Sequence, residues 1–121
     1  MREAQIQAIL QNLTASSGEI EASALVSKDG LIIASALAPG MDEARVAAIV
    51  AAMLSLGDRI AGELSRGTLE QILVSASGGH VLIQHVGQSA VLCTITSKSI
   101  TLGLMFMNAN HYAKAMATLL A

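Results

Sequence analysis

The stretch VAAIVAAMLSLG, residues 46–57, carries no charged residue. Alanine, leucine and methionine dominate it, and all three favour helix. Asp42 stands where a helix cap is needed, and Glu43 follows in the first turn, where negative charge is favourable. Together they predict a helix over residues 42–64. A helix at a half-exposed surface shows a polar face, whereas one that is apolar all round is buried. One side of this helix can lie on a sheet. The other needs a second cover, and the alanines at 47, 48, 51 and 52 permit close approach of another helix. In a chain of 121 residues the expected cover is the same helix of a second copy.

The composition supports that need. Hydrophobic residues make up 53% of the chain and charged residues 13%, against about a quarter charged in ordinary soluble domains. The length suits one domain, residues 1–121, able to bury roughly two-thirds of its unfolded surface without metals or disulfides. Phe106 and Tyr112 are the only aromatics, the net charge is −2 and no basic run occurs, so nucleic acid is excluded as the expected partner. All nine acids fall in residues 1–70, and only Lys98 and Lys114 are charged after that. The second half therefore supplies more core. A single cysteine, Cys93, forms no internal disulfide and suits a reducing cytoplasm. The N-terminal MREAQIQAILQN lacks the apolar run of a signal peptide. The longest purely apolar run, residues 46–54, is far shorter than the roughly 18–20 residues that insertion across a membrane requires.

Elsewhere the periodicity is clear. Ile6, Ile9, Leu10 and Leu13 make one stripe of a first helix that ends near Ser16-Ser17-Gly18. From Ile20 the period becomes two: Ala22, Ala24 and Val26 point one way, and Glu21, Ser23 and Ser27 the other. Asp29-Gly30 predicts a two-residue hairpin with φ > 0 at both positions, leading into LIIASA. Pro39-Gly40 ends that strand. LEQILVSAS is a third strand, Gly78-Gly79 a turn, HVLIQHV a fourth strand, Gly87-Gln88 a turn and AVLCTIT a fifth. Residues 71–97 hold no charge, so helices are expected over both sheet faces. A last helix buries Met105, Ala109, Tyr112, Met116 and Leu119. The order is α-β-β-α-β-β-β-α.

Chemistry is sparse. GELSRGT, residues 62–68, has the glycine spacing of a phosphate loop without its lysine, and it follows a helix instead of a strand. A helix cap at Gly67 is the simpler reading. Gly87-Gln88-Ser89-Ala90-Val91 lacks the closing glycine of a nucleophile elbow. His80 and His85 lie an odd number of residues apart on one strand and so face opposite ways. With His111 and Cys93 they make no zinc set, and Cys93 reads as a small core residue. No metal, cofactor or catalytic residue is assigned. The methionines Met53, Met105, Met107 and Met116 read as core filling first, with adaptable packing or an interaction surface as the alternative.

The succession ALVSKDGLIIAS, ARVAAIVAAMLSLGDRIAGEL, GTLEQILVSASGGHVLIQHVG, AVLCTIT and LGLMFMNANHYAKAM, in that order, resembles the roadblock family. These are the small proteins of dynein light chain roadblock type, whose bacterial and archaeal relatives regulate Ras-like GTPases. The resemblance covers nearly the whole chain, and the order of the segments is more specific than any one of them. It implies an α+β fold, a three-layer α/β/α sandwich of roadblock/profilin-like type. A five-stranded antiparallel sheet would lie between one central helix and the two terminal helices.

The resemblance also implies a dimer, homodimer or heterodimer, in which third strands pair and central helices lie side by side. Ala48 and Ala52 with Glu70, Gln71, Ile72, Leu73, Val74 and Ser75 are then the dimer-interface candidates. The third strand carries only Glu70 as a charge and no proline, which leaves its edge unprotected unless paired. A small Ras-like GTPase is the implied partner, met by the paired central helices without catalysis by the protein itself. Asp42, Arg45, Ile49, Met53, Leu56, Arg59 and Glu63 are the candidates for that contact. Arg45 or Arg59 as a finger inserted in trans is the sharper reading, and a solvated helix end is the favoured one. A structural adaptor and a small enzyme or ligand sensor are the competing functions, and fold alone does not separate regulator from adaptor.

Overall fold

The computed structural model describes residues 2–120. The elements are α1 (Arg2–Ala15), β1 (Ile20–Ser27), β2 (Ile32–Ala36), α2 (Glu43–Glu63), β3 (Gln71–Ala76), β4 (Gly79–Val86), β5 (Ala90–Ser97) and α3 (Leu102–Leu120). The strands form one antiparallel sheet in the order β2-β1-β5-β4-β3. The expected element order and sheet are therefore the observed ones.

Each sheet face has its own core. Ile6, Leu10 and Leu13 of α1 and Met105, Ala109 and Met116 of α3 pack with Leu25, Leu82 and Leu92 on one face. Ala47, Val50 and Leu54 of α2 pack with Ala24, Val26, Ile83, Val91 and Cys93 on the other. The central strand β5 is buried on both faces for most of its length. Burial pushes the Cys93 thiol up to about 12, as desolvation of a thiolate requires. His80 and His85 do face opposite ways. The His80 ring bonds Ser75 Oγ at 2.8 Å, and His85 lies 3.9 Å from Asp58 of α2.

Several local expectations change. Ser23 does alternate away from Ala22 and Ala24, but α1 covers that face. Its hydroxyl donates to the Leu10 carbonyl at 3.3 Å and lies 2.9 Å from Thr14 Oγ1. In the first hairpin only Gly30 is left-handed, at φ 90°, and Asp29 is not. The Ser27 hydroxyl donates to the Asp29 carboxylate and accepts from the Leu31 N–H at 3.0 Å. These bonds fold a longer loop with one left-handed glycine in place of the two-residue turn. The first of them holds the Asp29 carboxyl below its ordinary range. The Lys28-Asp29 tip is thus a bend. The next turn is shifted by one: Ala76 pairs with Gly79, so Ser77-Gly78 form the loop. A Cβ on Gly79 would lie 2.1 Å from the Thr96 carbonyl oxygen, which explains the glycine by close backbone approach.

The helices differ in detail too. In α3 the buried centre is Met105, Ala109, Ala113 and Met116, with Tyr112 and Leu119 only half-buried. Met105 and Met116 fill core, whereas Met53 is half-buried and Met107 is exposed. The cap expected at Gly67 is made earlier. The Arg66 N–H reaches the Ala61 carbonyl at 2.7 Å and the Ser65 N–H reaches Gly62 at 3.1 Å, with Ser65 left-handed at φ 56°. That is a Schellman stop with serine where glycine is usual. Ser65→Gly should therefore stabilise the protein by about 1 kcal/mol. An unchanged or lower urea midpoint would contradict this reading of the helix end.

Candidate interaction surface

The amphipathic balance of α2 decides the surface. Asp42 Oδ1 accepts from the Ala44 N–H at 3.0 Å and starts the helix, and the Ser35 hydroxyl donates to Glu43. Ala47, Val50 and Leu54 turn inward. The opposite side is apolar as well, with Ile49 56% exposed, Leu56 54% and Ile60 59%. Ala48 and Ala52 beside them are exposed. The helix thus has one covered face and one uncovered face of similar chemistry. Burying an aliphatic side chain fully is worth about 1.5–3 kcal/mol, so each of these half-exposed chains retains roughly 1 kcal/mol of unrealised burial.

Charge frames this patch without filling it. Arg59 Nε and Glu63 Oε2 pair at 3.0 Å, one helical turn apart and well exposed. Such a pair contributes about 0.3–0.5 kcal/mol, less than the apolar chains beside it. Asp42 and Arg45 lie exposed at the other end. Among the described residues no carboxylate comes within salt-bridge reach of Arg45.

β3 extends the same surface. It pairs with β4 along its whole length with no register shift, and its other edge has no neighbour among the described residues. Val74 is exposed, and Ile72 is half-buried against the α2 side of the sheet. Leu73 packs on the α1/α3 side. Ser75 Oγ shares a hydrogen bond with His80 Nδ1, and Glu70 and Gln71 are exposed. Between α2 and β3 runs an apolar groove of about 430 Å³ lined by Met53, Leu56, Gly57, Ile60, Leu69 and Ile72. Gly57 lets the helix sit close, since a Cβ there would lie 2.7 Å from Ile72 Cδ1.

The residues singled out from sequence are spread along α2 and β3. The α2 candidates Asp42, Arg45, Ile49, Leu56, Arg59 and Glu63 are all exposed, and Met53 turns partly into the groove. Sequence reasoning missed Ile60 and Leu69. Ile60 lies four residues after Leu56, and that spacing was the available signal. It was hidden behind the charged Asp58-Arg59. A second, polar cleft of about 670 Å³ lies at the end of β4 and includes Gln84, His85 and Asn110. Gln84 Nε2 there donates to Asn110 Oδ1 at 2.8 Å. Among the described residues no group of three or more His, Cys, Asp or Glu side chains is placed to hold a metal. No described helix is long and apolar enough to cross a membrane.

A five-stranded antiparallel sheet with one long helix on one face and two terminal helices on the other defines a profilin-like α/β/α protein. A solved profilin II of Acanthamoeba castellanii superposes with a TM-score of 0.67 at 13% identity, over 93% of this chain and 96% of that one. The chain belongs to the Roadblock/LC7 domain family, whose pattern matches residues 6–96. MglB of Myxococcus xanthus is similar in fold, with a TM-score of 0.91, 19% identity and coverage of 98% of this chain and 89% of that one. A Roadblock/LC7 domain from Streptomyces avermitilis gives 0.88 at 16% identity, covering 94% and 96%. In sequence, an uncharacterized protein of Methanocaldococcus jannaschii is 35% identical over 100 residues, 83% of this chain and 86% of its own.

The two faces of α2 should separate in stability measurements. Leu54→Ala, on the inner face, is expected to cost about 2–5 kcal/mol. Leu56→Ala, two residues on, should cost under about 0.5 kcal/mol in dilute protein. Equal costs by urea unfolding would mean that the outer face is already packed.

Proposed function

We propose that the protein is a non-enzymatic, dimeric regulator of a small Ras-like GTPase. The observation that carries this is the uncovered apolar outer face of α2, with Ile49, Leu56 and Ile60 each more than half exposed. Membership of the Roadblock/LC7 family, a family of adaptors and regulators, supports the same reading. Two copies join through the β3 edges and set their α2 helices side by side, with Ala48 and Ala52 allowing close approach. One related solved structure, an MglB, is described as having a tetrameric arrangement, so that relative does self-associate.

The GTPase docks on the surface made by the two helices, on Ile49, Met53 and Leu56 with Asp42, Arg45, Arg59 and Glu63 around them. Arg45 and Arg59 both offer a cation to the partner, Arg59 from a weak, exposed pair with Glu63. The protein acts by binding, in the cytoplasm, and supplies no cofactor or metal.

The test is GTP hydrolysis and nucleotide release by Ras-like GTPases from the same genome, with and without this protein. A change in either rate is expected. Leu56→Asp, which leaves the inner face of α2 intact, should abolish it. Binding without any rate change would place the protein among the structural adaptors. No binding across the set would refute the GTPase reading.

A further inference from the structure

The two edges of the sheet are built differently. β3 presents an unbroken edge with no proline and no register shift. β2 is five residues long and carries an irregularity in its pairing with β1, between Leu25 and Val26. It also carries something that shortness and a bulge do not explain. The side chain of Gln7, from α1, reaches the β2 backbone at Ser35. Gln7 Nε2 donates to the Ser35 carbonyl at 2.6 Å, and the Ser35 N–H donates to Gln7 Oε1 at 3.4 Å.

A primary amide has the donor and acceptor of a peptide group side by side. In a strand, the N–H and C=O of one residue point to the same side, and an antiparallel neighbour uses both at once. Gln7 uses both at Ser35. It therefore occupies the bonds that an added strand would make, and it does so from within the same chain. An edge with free groups is a template for another chain. This edge has one of its pairing positions already filled, next to a bulge that bends it.

We propose that Gln7 is an internal plug that closes the β2 edge and confines strand-edge self-association to β3. The consequence is a matter of symmetry. A molecule with one open edge pairs once with its own kind and stops at two copies, whereas one with two open edges grows into a chain. The inference rests on the dimer reading only for the number of copies in the wild type. The closure of β2 stands on the two Gln7 bonds.

The experiment is solution mass by light scattering over a concentration series, for the wild type, Gln7→Ala and Gln7→Met, with circular dichroism to check folding. Gln7→Met keeps the bulk of the side chain and loses both bonds. The expected result is a mass at least about twofold above the wild type that rises with concentration. Adding Leu73→Pro, which removes a donor from β3, should limit the growth to pairs joined through β2. A folded Gln7→Met variant with the wild-type mass at every concentration would overturn the proposal. Should both variants fail to fold, amide exchange in the wild type decides. Protection of the Ser35 N–H supports the plug, and exchange at the rate of a free edge refutes it. A monomeric wild type would sink the dimer and with it the expected gain in mass, and the closure of β2 would then be decided by protection of the Ser35 N–H alone.

Discussion

The sheet has two apolar faces, and one of them is covered by a single helix. Every other feature of the molecule depends on that constraint. α1 and α3 share the first face and bury Leu25, Leu82 and Leu92 between them. α2 alone covers Ala24, Val26, Ile83, Val91 and Cys93. A helix is too narrow to cover five strands, so it leaves a groove against β3. Its own outer side then has nothing above it. A polar outer side would have left no apolar surface there to cover. This one carries isoleucine and leucine, and the unrealised burial outweighs the screened charges at its ends.

The same contrast runs through the edges. Both ends of the sheet face the problem of unpaired backbone groups. At β2 the chain solves it with a short strand, a bulge and the amide of Gln7. At β3 it does not solve it at all. Closing one edge and leaving the other open fits a molecule whose association is directed. The open edge is also the one beside the groove and the uncovered face of α2.

The fold was largely legible in the sequence because its signals are local. The alternation in residues 20–27, the charge-free residues 71–97 and the cap at Asp42 each report their own surroundings. What was not legible depends on contacts between distant segments. Ser23 reads as polar and outward, yet α1 lies over it. Gln7 looks like a solvated helix residue, and its partner Ser35 is 28 residues away. Ala113, not Tyr112, sits at the buried centre of α3, and the apolar spacing tolerates either. Ser65 takes a conformation that its type does not advertise. Of the interaction surface, the apolar middle of α2 could be read directly. Ile60 had its spacing from Leu56 as a signal, whereas Leu69 joins the groove only once α2 lies against the sheet.

Hydrogen exchange across a dilution series tests the central claim that the α2 outer face and the β3 edge are where this molecule associates. The outward amides of β3 should be protected in concentrated protein and lose that protection on dilution, while those of β2 stay unchanged. Fast exchange along β3 at every concentration, with no difference between the two edges, would contradict it.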